Sequence, residues 1–488
     1  MEGAHNKPIV VDLDGTLIRT DCLHESVFAL LKINPFYCLL LPLWLLRGKA
    51  HLKQMIANRA ELQVSLFPYH AELLEYLREQ YEGGRRLVLA TASNERYAKR
   101  VAEHLGIFSD VLGSTSSENL SGETKLARIR DLLAGGFAYA GNSSVDMPLW
   151  QAADEAVLVN VSPGVRRQTE ASTEVVREFS GNQHYLRNLL RAMRPHQWLK
   201  NLLLFVPLVL SHQIGNPQLL IQTLLGFLAF CFCASSVYLL NDLLDLASDR
   251  QHPNKRLRPF AAGNLPIWHG VIAKLVLLAM AVTIAISLPK FFIWVLGLYY
   301  VSTMAYSLWL KRASLIDALV LAGLYTLRLI AGAAAISVAP TFWLLAFSIF
   351  LFLSLALIKR HSELQLVHAD GRENIVGRAY KSVDTETLAQ LGSSSGYLAV
   401  LVLALYINSD KVADMYARPE ALWILCPMML YWISRMWLLT RRGEMHDDPV
   451  VFTARDGRTW WLALFALIAY GTATYWPQVR PFLSPILD

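Results

Sequence analysis

From residue 202 onward the chain is dominated by apolar runs that are long enough to cross the hydrocarbon core of a bilayer. Hydrophobic residues make up 54% of the chain and charged residues only 17%, which excludes a protein that is soluble throughout. The preceding part is of mixed polarity, so we predict two domains, a soluble one at residues 1–185 and an all-α membrane bundle at residues 190–488. Nine membrane helices are predicted, near residues 202–215, 219–240, 268–288, 291–310, 314–336, 341–358, 394–409, 420–440 and 459–477.

Lys and Arg cluster in connections that alternate spans place on one side of the membrane. These clusters are Lys255-Arg256 with Arg258, Lys311-Arg312, Lys359-Arg360 and Arg441-Arg442. The positive-inside rule puts that side in the cytoplasm. No signal-peptide pattern opens the chain, so we expect the amino-terminal domain in the cytoplasm as well. The prediction is a multi-pass protein of the inner (cytoplasmic) membrane, with its active-site loops on the cytoplasmic side.

The charge and cysteine content narrow the choice of partners. A formal net charge of +6 suits a protein that handles phosphates beside anionic lipid, but it is too small to indicate nucleic-acid binding. No nucleic-acid partner is predicted. The five cysteines show no metal-type spacing, so neither disulfides nor zinc are expected.

The amino-terminal domain opens with an apolar strand that ends on two carboxylates. The strand at residues 8–11 is followed by Asp12, Leu13, Asp14 and Gly15. Asp12, at the end of the strand, can attack phosphorus. Asp14 lies two residues further along on the same face and can protonate the leaving oxygen and then activate water. This pattern indicates phosphoryl transfer.

Three further motifs follow in the order expected of such a domain. They are a strand at residues 86–91 ending on Thr91, a stretch at residues 122–125 ending on Lys125, and a strand at residues 137–141 followed by Asn142 and Asp146. Together with Asp12 and Asp14, these motifs resemble those of the haloacid-dehalogenase-type phosphatases. The resemblance implies an α/β Rossmann-like fold with a helical cap for residues 1–185.

The same resemblance implies roles for the motif residues. Thr91 would bind the phosphate, and Lys125 would balance the charge of the nucleophile and the phosphate. Mg²⁺ would be held by Asp12, Asp14, Asn142 and Asp146. The acidic loop of the family usually opens with Gly-Asp, whereas this chain has Gly141-Asn142, so the metal would be held by less negative charge. Weak or altered phosphatase activity and a decayed domain kept for docking are the alternatives.

A short apolar segment at residues 35–46 lies between the first two phosphatase motifs. It contains prolines and is too short to span a bilayer. Basic residues flank it, among them Lys32, Lys49 and Lys53. We predict either a cap insertion that dips into the membrane interface and presents a lipid-linked substrate to Asp12, or an ordinary buried cap helix.

A polar segment after the second apolar run carries oxygen ligands at helical spacing. Asn241, Asp245 and Asp249 are spaced i, i+4 and i+8, and Asp242 adds a carboxylate three residues before Asp245. Such ligands suit Mg²⁺ that completes its shell with water and substrate phosphates. The alternative is a charged loop between two membrane helices that binds nothing.

A basic run follows this acidic segment directly. It contains Lys255, Arg256 and Arg258. A diphosphate is the natural ligand between a carboxylate-bound Mg²⁺ and several cations, because it carries enough negative charge for both. We therefore expect the metal on Asp242 and Asp245 to grip the diphosphate of a substrate.

Taken with the spans, the pattern Asn-Asp-x-x-Asp-x-x-x-Asp at residues 241–249 resembles that of the UbiA superfamily of intramembrane prenyltransferases. The closer match is to one branch, the decaprenyl-phosphate phosphoribosyltransferases. That match rests on residues 194–201, 241–263, 306–311, 317, 328 and 359–364. It implies a catalytic role for Asp242 and Asp245. It also implies substrate-binding roles for Lys200, Asn201, Lys255, Arg256, Arg258, Tyr306, Lys311, Asp317, Arg328, Lys359, Arg360 and Glu363.

The chain departs from the aromatic prenyltransferases after the sixth predicted span. Those enzymes carry a second aspartate-rich motif there, whereas this chain has Lys359-Arg360-His361-Ser362-Glu363, which is net basic. A basic pocket suits a monophosphate head group or a sugar phosphate bound by direct ion pairing. Taken in isolation, Lys359 and Arg360 are more typical of cations that snorkel from a helix end.

The resemblance to the decaprenyl-phosphate phosphoribosyltransferases implies transfer of phosphoribose from phosphoribosyl diphosphate to a polyprenyl phosphate in the lipid bilayer, with release of diphosphate. The product would keep a phosphomonoester on its ribose. The amino-terminal domain is predicted to remove it and to give polyprenyl-phosphoryl ribose, with covalent linkage keeping the two sites near each other. The alternatives are an aromatic-acceptor prenyltransferase of the quinone type and a non-catalytic membrane scaffold.

Overall fold

The computed structural model describes residues 7–133, 135–180, 184–369, 378–445 and 448–487. Its chain divides into two compact units. The first unit comprises Met1–Pro195 and Ser235–Leu277, and the second comprises His196–Ala234 and Leu278–Asp488. The acidic segment at residues 241–249 therefore belongs to the same unit as the phosphatase-like motifs. The domain boundary predicted at residues 185–190 stays a prediction, since the compact units do not follow chain order.

The first unit contains a six-stranded parallel sheet. Its strands are β1 (Ile9–Val11), β2 (Leu87–Asn94), β3 (Asp110–Ser114), β4 (Ala138–Gly141), β5 (Glu155–Val159) and β6 (Glu174–Phe179), in the order β3-β2-β1-β4-β5-β6. The predicted α/β Rossmann-like fold is confirmed. Strand order reverses at β1, which lies between β2 and β4, and ligands of such sheets bind beyond the carboxyl ends of the strands at this point.

Both faces of the sheet are buried, as expected of parallel strands with helices on both sides. Ile9 and Val11 pack into one apolar core, and Val10 between them packs into the other. The helices of this part are α1 (Cys22–Ile33), α2 (Leu40–Leu46), α3 (Lys49–Ala57), α4 (Ala71–Glu82), α5 (Glu95–Leu105), α6 (Glu123–Leu132), α7 (Met147–Ala152), α8 (Pro163–Glu170) and α9 (Tyr185–Met193).

The short apolar segment at residues 35–46 forms a 3₁₀ turn, Pro35–Leu39, followed by α2. Trp44 on one side is buried against Leu30 and Ile56 of the neighbouring helices. Side chains on the other side are exposed, with Leu39 at 68% and Leu46 at 84%. The segment is thus both a packed part of the cap and an apolar surface, and its contact with a membrane stays a prediction.

The described residues after α9 are mainly helical. Their helices are α10 (Val206–Leu210), α11 (Pro217–Leu244), α12 (Leu246–Gln251), α13 (Ile267–Ile286), α14 (Lys290–Leu308), α15 (Ile316–Ala335), α16 (Phe342–Ala369), α17 (Thr385–Ile407), α18 (Asp410–Met415), α19 (Leu425–Arg441), α20 (Pro449–Arg455) and α21 (Gly457–Leu487). By chain position, α11 and α13 each contribute to both compact units.

Seven helices in the described part of the chain are long and apolar enough to cross a membrane, so the protein is an integral membrane protein. The prediction of nine spans is not confirmed. Residues 202–215 do not form one helix, because they divide between a 3₁₀ stretch, Pro195–Phe205, and the short α10. Residues 459–477 lie within α21, which is kinked at Tyr475 and is not among the seven.

Small residues let the helices of the second unit approach closely. A Cβ atom on Gly332 of α15 would lie 2.1 Å from the carbonyl oxygen of Leu204, and one on Gly392 of α17 would lie 2.0 Å from the indole of Trp437. Both positions therefore accept only glycine in this packing. Close approach of this kind is typical of helices that associate within a bilayer.

Candidate active sites

Asp12 follows β1 at the carboxyl edge of the sheet and is 7% exposed. The Lys125 ammonium donates to its Oδ1 at 2.7 Å, and the Thr16 hydroxyl donates to its Oδ2 at 3.4 Å. Burial raises the pKa of Asp12 to about 7; Lys125 opposes this rise, and the charges of Asp146 and Asp14 add to it. The sequence prediction that Lys125 meets the nucleophile agrees with this geometry.

Asp14 is held by three donors. Its Oδ1 accepts from the backbone amide of Cys22 at 2.7 Å, and its Oδ2 accepts from the hydroxyls of Ser93 at 2.6 Å and Thr91 at 3.2 Å. Burial raises the pKa of Asp14, and the charge of Asp21 adds to the rise. Sequence analysis did not single out Lys53 as a site residue, yet its ammonium donates to the Ala92 carbonyl at 2.5 Å and brings a second cation to this edge.

A tyrosine connects the two carboxylate-bearing loops. Lys125 donates to the hydroxyl oxygen of Tyr139 at 3.0 Å, and that hydroxyl donates to Oδ1 of Asp146 at 2.8 Å. Tyr139 is fully buried in β4, and burial together with the charge of Asp146 raises its pKa well above the usual range. Sequence analysis missed Tyr139, although a phenol two residues before the Gly141 turn is a polar group in an otherwise apolar strand.

Asn142 packs against the turn that follows Asp14. Gly15 has φ +75°, and a Cβ there would lie 2.1 Å from the amide nitrogen of Asn142. Asp146 uses Oδ2 to accept from the backbone amides of Asn142 and Ser143, each at 3.1 Å, so it orders the loop.

Across the part of the chain that the structure describes, no group of three His, Cys, Asp or Glu side chains is arranged to hold a metal.

The spacing of the acidic segment predicted one continuous helical face. The structure shows two helices instead. α11 ends at Leu244 and α12 begins at Leu246, and Asp245 between them has φ −104° and ψ 14°. Asp242 and Asp249 come together through Arg258, which contacts their carboxylates at 3.3 and 2.6 Å. Burial raises the pKa of Asp249, although Arg258 opposes the rise. Asp245 instead pairs with a residue of α1.

Asp242 is 2% exposed and lies between two arginines. Arg194 contacts its Oδ1 together with Arg258, whereas its Oδ2 is buried without a hydrogen-bond partner among the described residues. A buried carboxylate oxygen without a partner is costly unless a ligand completes it. Arg194 belongs to residues 194–201, which contribute to the family resemblance, but it was not predicted as a site residue. Asn241 is half-buried beside Asp242, whereas Lys255 and Arg256 are exposed on the loop that follows.

Two residues of α1 reach the acidic segment. Glu25 and Arg250 form a bidentate pair with distances of 2.6 and 2.9 Å, and both side chains are nearly buried. The Lys32 ammonium contacts Asp245 at 2.8 Å in a more exposed position. α1 also begins at Cys22, whose amide binds Asp14. One helix therefore joins the phosphatase-like carboxylates to the segment that carries the predicted transferase carboxylates.

In the second unit, Asp317 and Arg360 form the centre of a buried network. Arg360 contacts Asp317 at 2.8 Å and Glu363 at 2.6 Å, and it donates to the Tyr306 hydroxyl at 2.9 Å. Arg378 contacts Asp317 as well. Arg360 is fully buried, so the alternative that it snorkels to the surface is wrong. The guanidinium of Arg360 donates to protein groups, so the structure favours a structural role for this residue over the predicted substrate-binding role.

A second cluster in this unit holds Lys200 and Lys359. Both ammonium groups contact Oδ2 of Asp448, at 2.9 and 2.8 Å. Burial opposes ionisation of Asp448, but the two cations outweigh it and hold its pKa well below its usual range. Sequence analysis missed Asp448 because it predicted a purely basic pocket. Lys311 lies on a 3₁₀ turn, Leu310–Arg312, and is half-buried.

Arg328 of α15 is buried beside this cluster. It donates to the side-chain amide oxygen Oδ1 of Asn201 at 2.9 Å and to the Tyr299 hydroxyl at 3.0 Å. Its guanidinium lies 5.2 Å from the ring of Tyr325, and Lys200 lies 5.7 Å from the same ring. The structure thus brings together the predicted residues Lys200, Asn201, Arg328 and Lys359.

A parallel sheet with carboxylates at its switch point, joined in one chain to seven apolar helices within the described residues, is typical of a membrane-bound enzyme with a hydrolase-like domain. The UbiA prenyltransferase family model matches residues 202–463, and the haloacid dehalogenase-like hydrolase model matches residues 9–151. The chain belongs to the UbiA prenyltransferase family and carries a haloacid dehalogenase-like domain at its amino-terminal side.

Three relatives are similar to this chain. The uncharacterized protein y4nM of Sinorhizobium fredii is 36% identical over 467 residues, which cover 95% of this chain and 90% of that protein. The nodulation protein NoeC of Azorhizobium caulinodans is 38% identical over 268 residues, 54% of this chain and 86% of that protein. The decaprenyl-phosphate phosphoribosyltransferase of Mycobacterium tuberculosis is 32% identical over 290 residues, 58% of this chain and 93% of that protein.

Proposed function

We propose that the membrane part transfers phosphoribose from phosphoribosyl diphosphate to a polyprenyl phosphate and releases diphosphate. The observation that carries this proposal is Asp242, whose Oδ2 has no partner among the described residues while Arg194 and Arg258 flank its Oδ1. A carboxylate oxygen that lacks a donor, with arginines beside it, suits a metal-bound diphosphate. The mycobacterial relative supports the choice of phosphoribose as the transferred group.

Asp242, Asp249 and Asn241 would hold Mg²⁺, which when bound would supply a Lewis acid that neutralises the charge of the leaving diphosphate. Arg194 and Arg258 are placed to bind the phosphate oxygens once the substrate displaces them from the carboxylates. Asp245 is proposed to join this site only when its contact with Lys32 opens.

The polyprenyl phosphate supplies the nucleophile. One of its phosphate oxygens forms a bond to the anomeric carbon of ribose, and the bond from that carbon to diphosphate breaks, so that diphosphate leaves with the electron pair. The attacking oxygen is already anionic, so no general base is required. Among the described residues, Asp448 is the one carboxylate that contacts Lys200 and Lys359. We propose that both lysines release this contact and bind the lipid phosphate.

We propose that the haloacid dehalogenase-like domain removes the phosphate that remains on the ribose. The Asp12 carboxylate attacks phosphorus, and the sugar oxygen leaves with the proton that Asp14 donates. Asp14 then takes a proton from water, which hydrolyses the aspartyl phosphate. Lys125 offsets the charge of Asp12 and of the bound phosphate. Asp12 and Asn142 would hold Mg²⁺ here, because Asp146 already uses both oxygens for Tyr139 and the loop amides.

The decisive experiment uses purified full-length protein in detergent, phosphoribosyl diphosphate labelled in the ribose, a polyprenyl phosphate and Mg²⁺. We expect the label to enter the lipid phase. With Asp12→Asn the labelled lipid should retain its ribose phosphate, whereas the unchanged protein should release inorganic phosphate. Label in lipid with no difference between the two proteins would remove the phosphatase role alone.

A second arm supplies a prenyl diphosphate and an aromatic acid. Reaction of this pair, together with absence of label from lipid in the first arm, would return the membrane part to aromatic prenyl transfer. Turnover that is unchanged by Asp242→Asn in either arm would support a non-catalytic scaffold. A protease-protection assay on sealed vesicles tests the proposed cytoplasmic side of residues 1–185.

A further inference from the structure

A cavity of about 580 Å³ in the first unit opens beside the phosphatase carboxylates. Asp14 and Asn142 lie at one end of its lining, and Arg19, Asp21 and His24 line it from the loop after β1 and the start of α1. Its position at the carboxyl edge of the sheet is where a substrate of this fold binds.

Five further lining residues, Gly263, Asn264, Pro266, Ile267 and Trp268, lie within the part matched by the UbiA family model. Gly263 has φ +69°, and a Cβ there would lie 2.6 Å from Cβ of Arg19 and 2.9 Å from its carbonyl oxygen. The ring of Trp268 stacks with that of His24 at 6.3 Å and an interplanar angle of 19°. Residues of the membrane part therefore complete the cavity beside the hydrolase-like active site.

The groups that line the cavity favour an anion. The Arg19 guanidinium makes no hydrogen bond or ion pair within the described residues, and its charge adds to burial in lowering the pKa of the neighbouring His70. The Asp21 carboxylate is engaged by the amide and the ring of His24. The buried hydroxyl of Thr20 finds no partner in the described chain. An unpaired guanidinium on such a wall suits a phosphate at a distance from Asp12.

The same lining suits a sugar between two phosphates. The indole of Trp268 offers a flat apolar surface, and the side chains of Asn160 and Asn264 offer amide donors and acceptors for hydroxyl groups. We propose that this cavity binds a phosphorylated sugar that carries a second phosphate, with its monoester at Asp12 and Asp14, its ring at Trp268 and its second phosphate at Arg19. This inference rests on the proposed phosphatase function and adds the cavity and the residues that would bind the second phosphate and the sugar ring.

The test measures binding by calorimetry to full-length protein that carries Asp12→Asn, so that no turnover is needed. The probes are ribose 5-phosphate, ribose 1,5-bisphosphate and a geranyl-phosphoryl ribose 5-phosphate. We expect either probe with two phosphates to bind about tenfold more tightly than ribose 5-phosphate, because only they reach Arg19. The bisphosphate and the geranyl diester distinguish a soluble source from a lipid-linked one, and a preference for either supports the cavity.

Arg19→Met should remove the preference for two phosphates, and Arg19→Lys should keep part of it. Trp268→Ala should weaken all three probes several-fold. The matched control is Arg78→Met at an exposed arginine of α4, which should leave the preference intact. Equal binding of all three probes, a preference that survives Arg19→Met, or affinities that are unchanged by Trp268→Ala would each overturn the proposal. If Arg19-dependent binding is found but protein with Asp12 releases no phosphate, the cavity stands and the phosphatase function fails.

Discussion

The two carboxylate clusters of the first unit differ in how completely their charges are matched. Around Asp12, one lysine and one tyrosine connect its carboxylate to that of Asp146. Around Asp242, two arginines crowd one carboxylate oxygen and leave the other without a donor among the described groups. Protein groups alone connect the carboxylates of the first cluster. In the second cluster, Oδ2 of Asp242 can still accept a contact from a ligand.

This difference has a physical origin. Asp12 follows β1 and Asp146 lies in the turn after β4, so the pairing of these two strands fixes the spacing of the two carboxylates, and Lys125 reaches Asp12 from α6. Asp242 and Asp249 lie on separate helices on either side of the break at Asp245, and their cations come from Arg194 and Arg258. A site that is held by long cationic side chains can exchange protein contacts for substrate contacts more readily.

The largest expected effect comes from Asp242→Asn. Phosphoribosyl transfer should fall by about 10²–10³-fold, because the metal-bound diphosphate loses a charged ligand at the reacting centre. The rate of phosphate release from a pre-formed ribose phosphate lipid should stay within twofold of the rate of the unchanged protein. Twofold corresponds to about 0.4 kcal/mol of activation free energy. Both rates are measured on the same preparation. Asp410→Asn, at an exposed aspartate of α18, is the control, and equal loss in both assays would contradict the separation of the two clusters.

The next effect concerns the buried pair between Glu25 and Arg250. Glu25→Gln should lower the free energy of unfolding by about 3 kcal/mol, because it leaves the Arg250 guanidinium buried without its carboxylate. Thermal denaturation in detergent measures the change. The comparison is Lys32→Met, which removes a half-exposed pair and should cost less than about 1 kcal/mol. A similar loss for both substitutions would show that burial does not distinguish the two contacts.

A smaller effect is expected from Tyr139→Phe. It removes the hydroxyl that accepts from Lys125 and donates to Asp146, so phosphate release should fall about tenfold while lipid labelling is kept. Steady-state phosphate release measures the effect. Tyr81→Phe, at an exposed tyrosine of α4, is the control. Unaltered phosphate release would mean that Lys125 and Asp146 act independently.

The smallest effect is a dependence of stability on pH and Mg²⁺. Burial raises the pKa of Asp12 from 3.8 to about 7, so in EDTA the folded state binds this proton more tightly and stability falls as pH rises through that window. A metal needs the ionised carboxylate. Mg²⁺ should therefore raise the Tm by about 2–4 °C more at pH 8 than at pH 6. Asp12→Asn should remove this pH difference, and a Mg²⁺ effect that is independent of pH in both proteins would contradict the metal site.

Sequence patterns predicted the sheet and its edge because strand ends bring motif residues together by geometry alone. Lys125 lies on α6 rather than at a strand end, so its contact with Asp12 was expected from the motif order and not from this rule. Tyr139 was missed because its partners depend on side-chain packing within the sheet. The predicted helical face through Asp245 failed because residues 241–249 contain no proline or glycine to announce the break.

In the membrane part, spacing predicted most spans but not the partners of buried charges. Asp448 precedes Pro449, a pattern that marks the start of a helix, yet nothing local indicates that it meets Lys200 and Lys359 from distant parts of the chain. The run at residues 202–215 was apolar enough to predict a span, but Pro207 lies at the start of the short α10 and limits a longer helix. Hydropathy thus predicted the positions of most long apolar helices, but it did not predict where an apolar run divides into shorter helices.

The pair of Glu25 and Arg250 also bears on whether the chain can be divided. A cut near residue 190 would place the carboxylate on one polypeptide and the guanidinium on another. Each piece would then expose or bury an uncompensated charge until the two reassembled. Expressing the transferase part alone would remove the counter-ion of Arg250 and one wall of the cavity beside Asp14. A single gene avoids that difficulty, because it guarantees one hydrolase-like head for every membrane transferase.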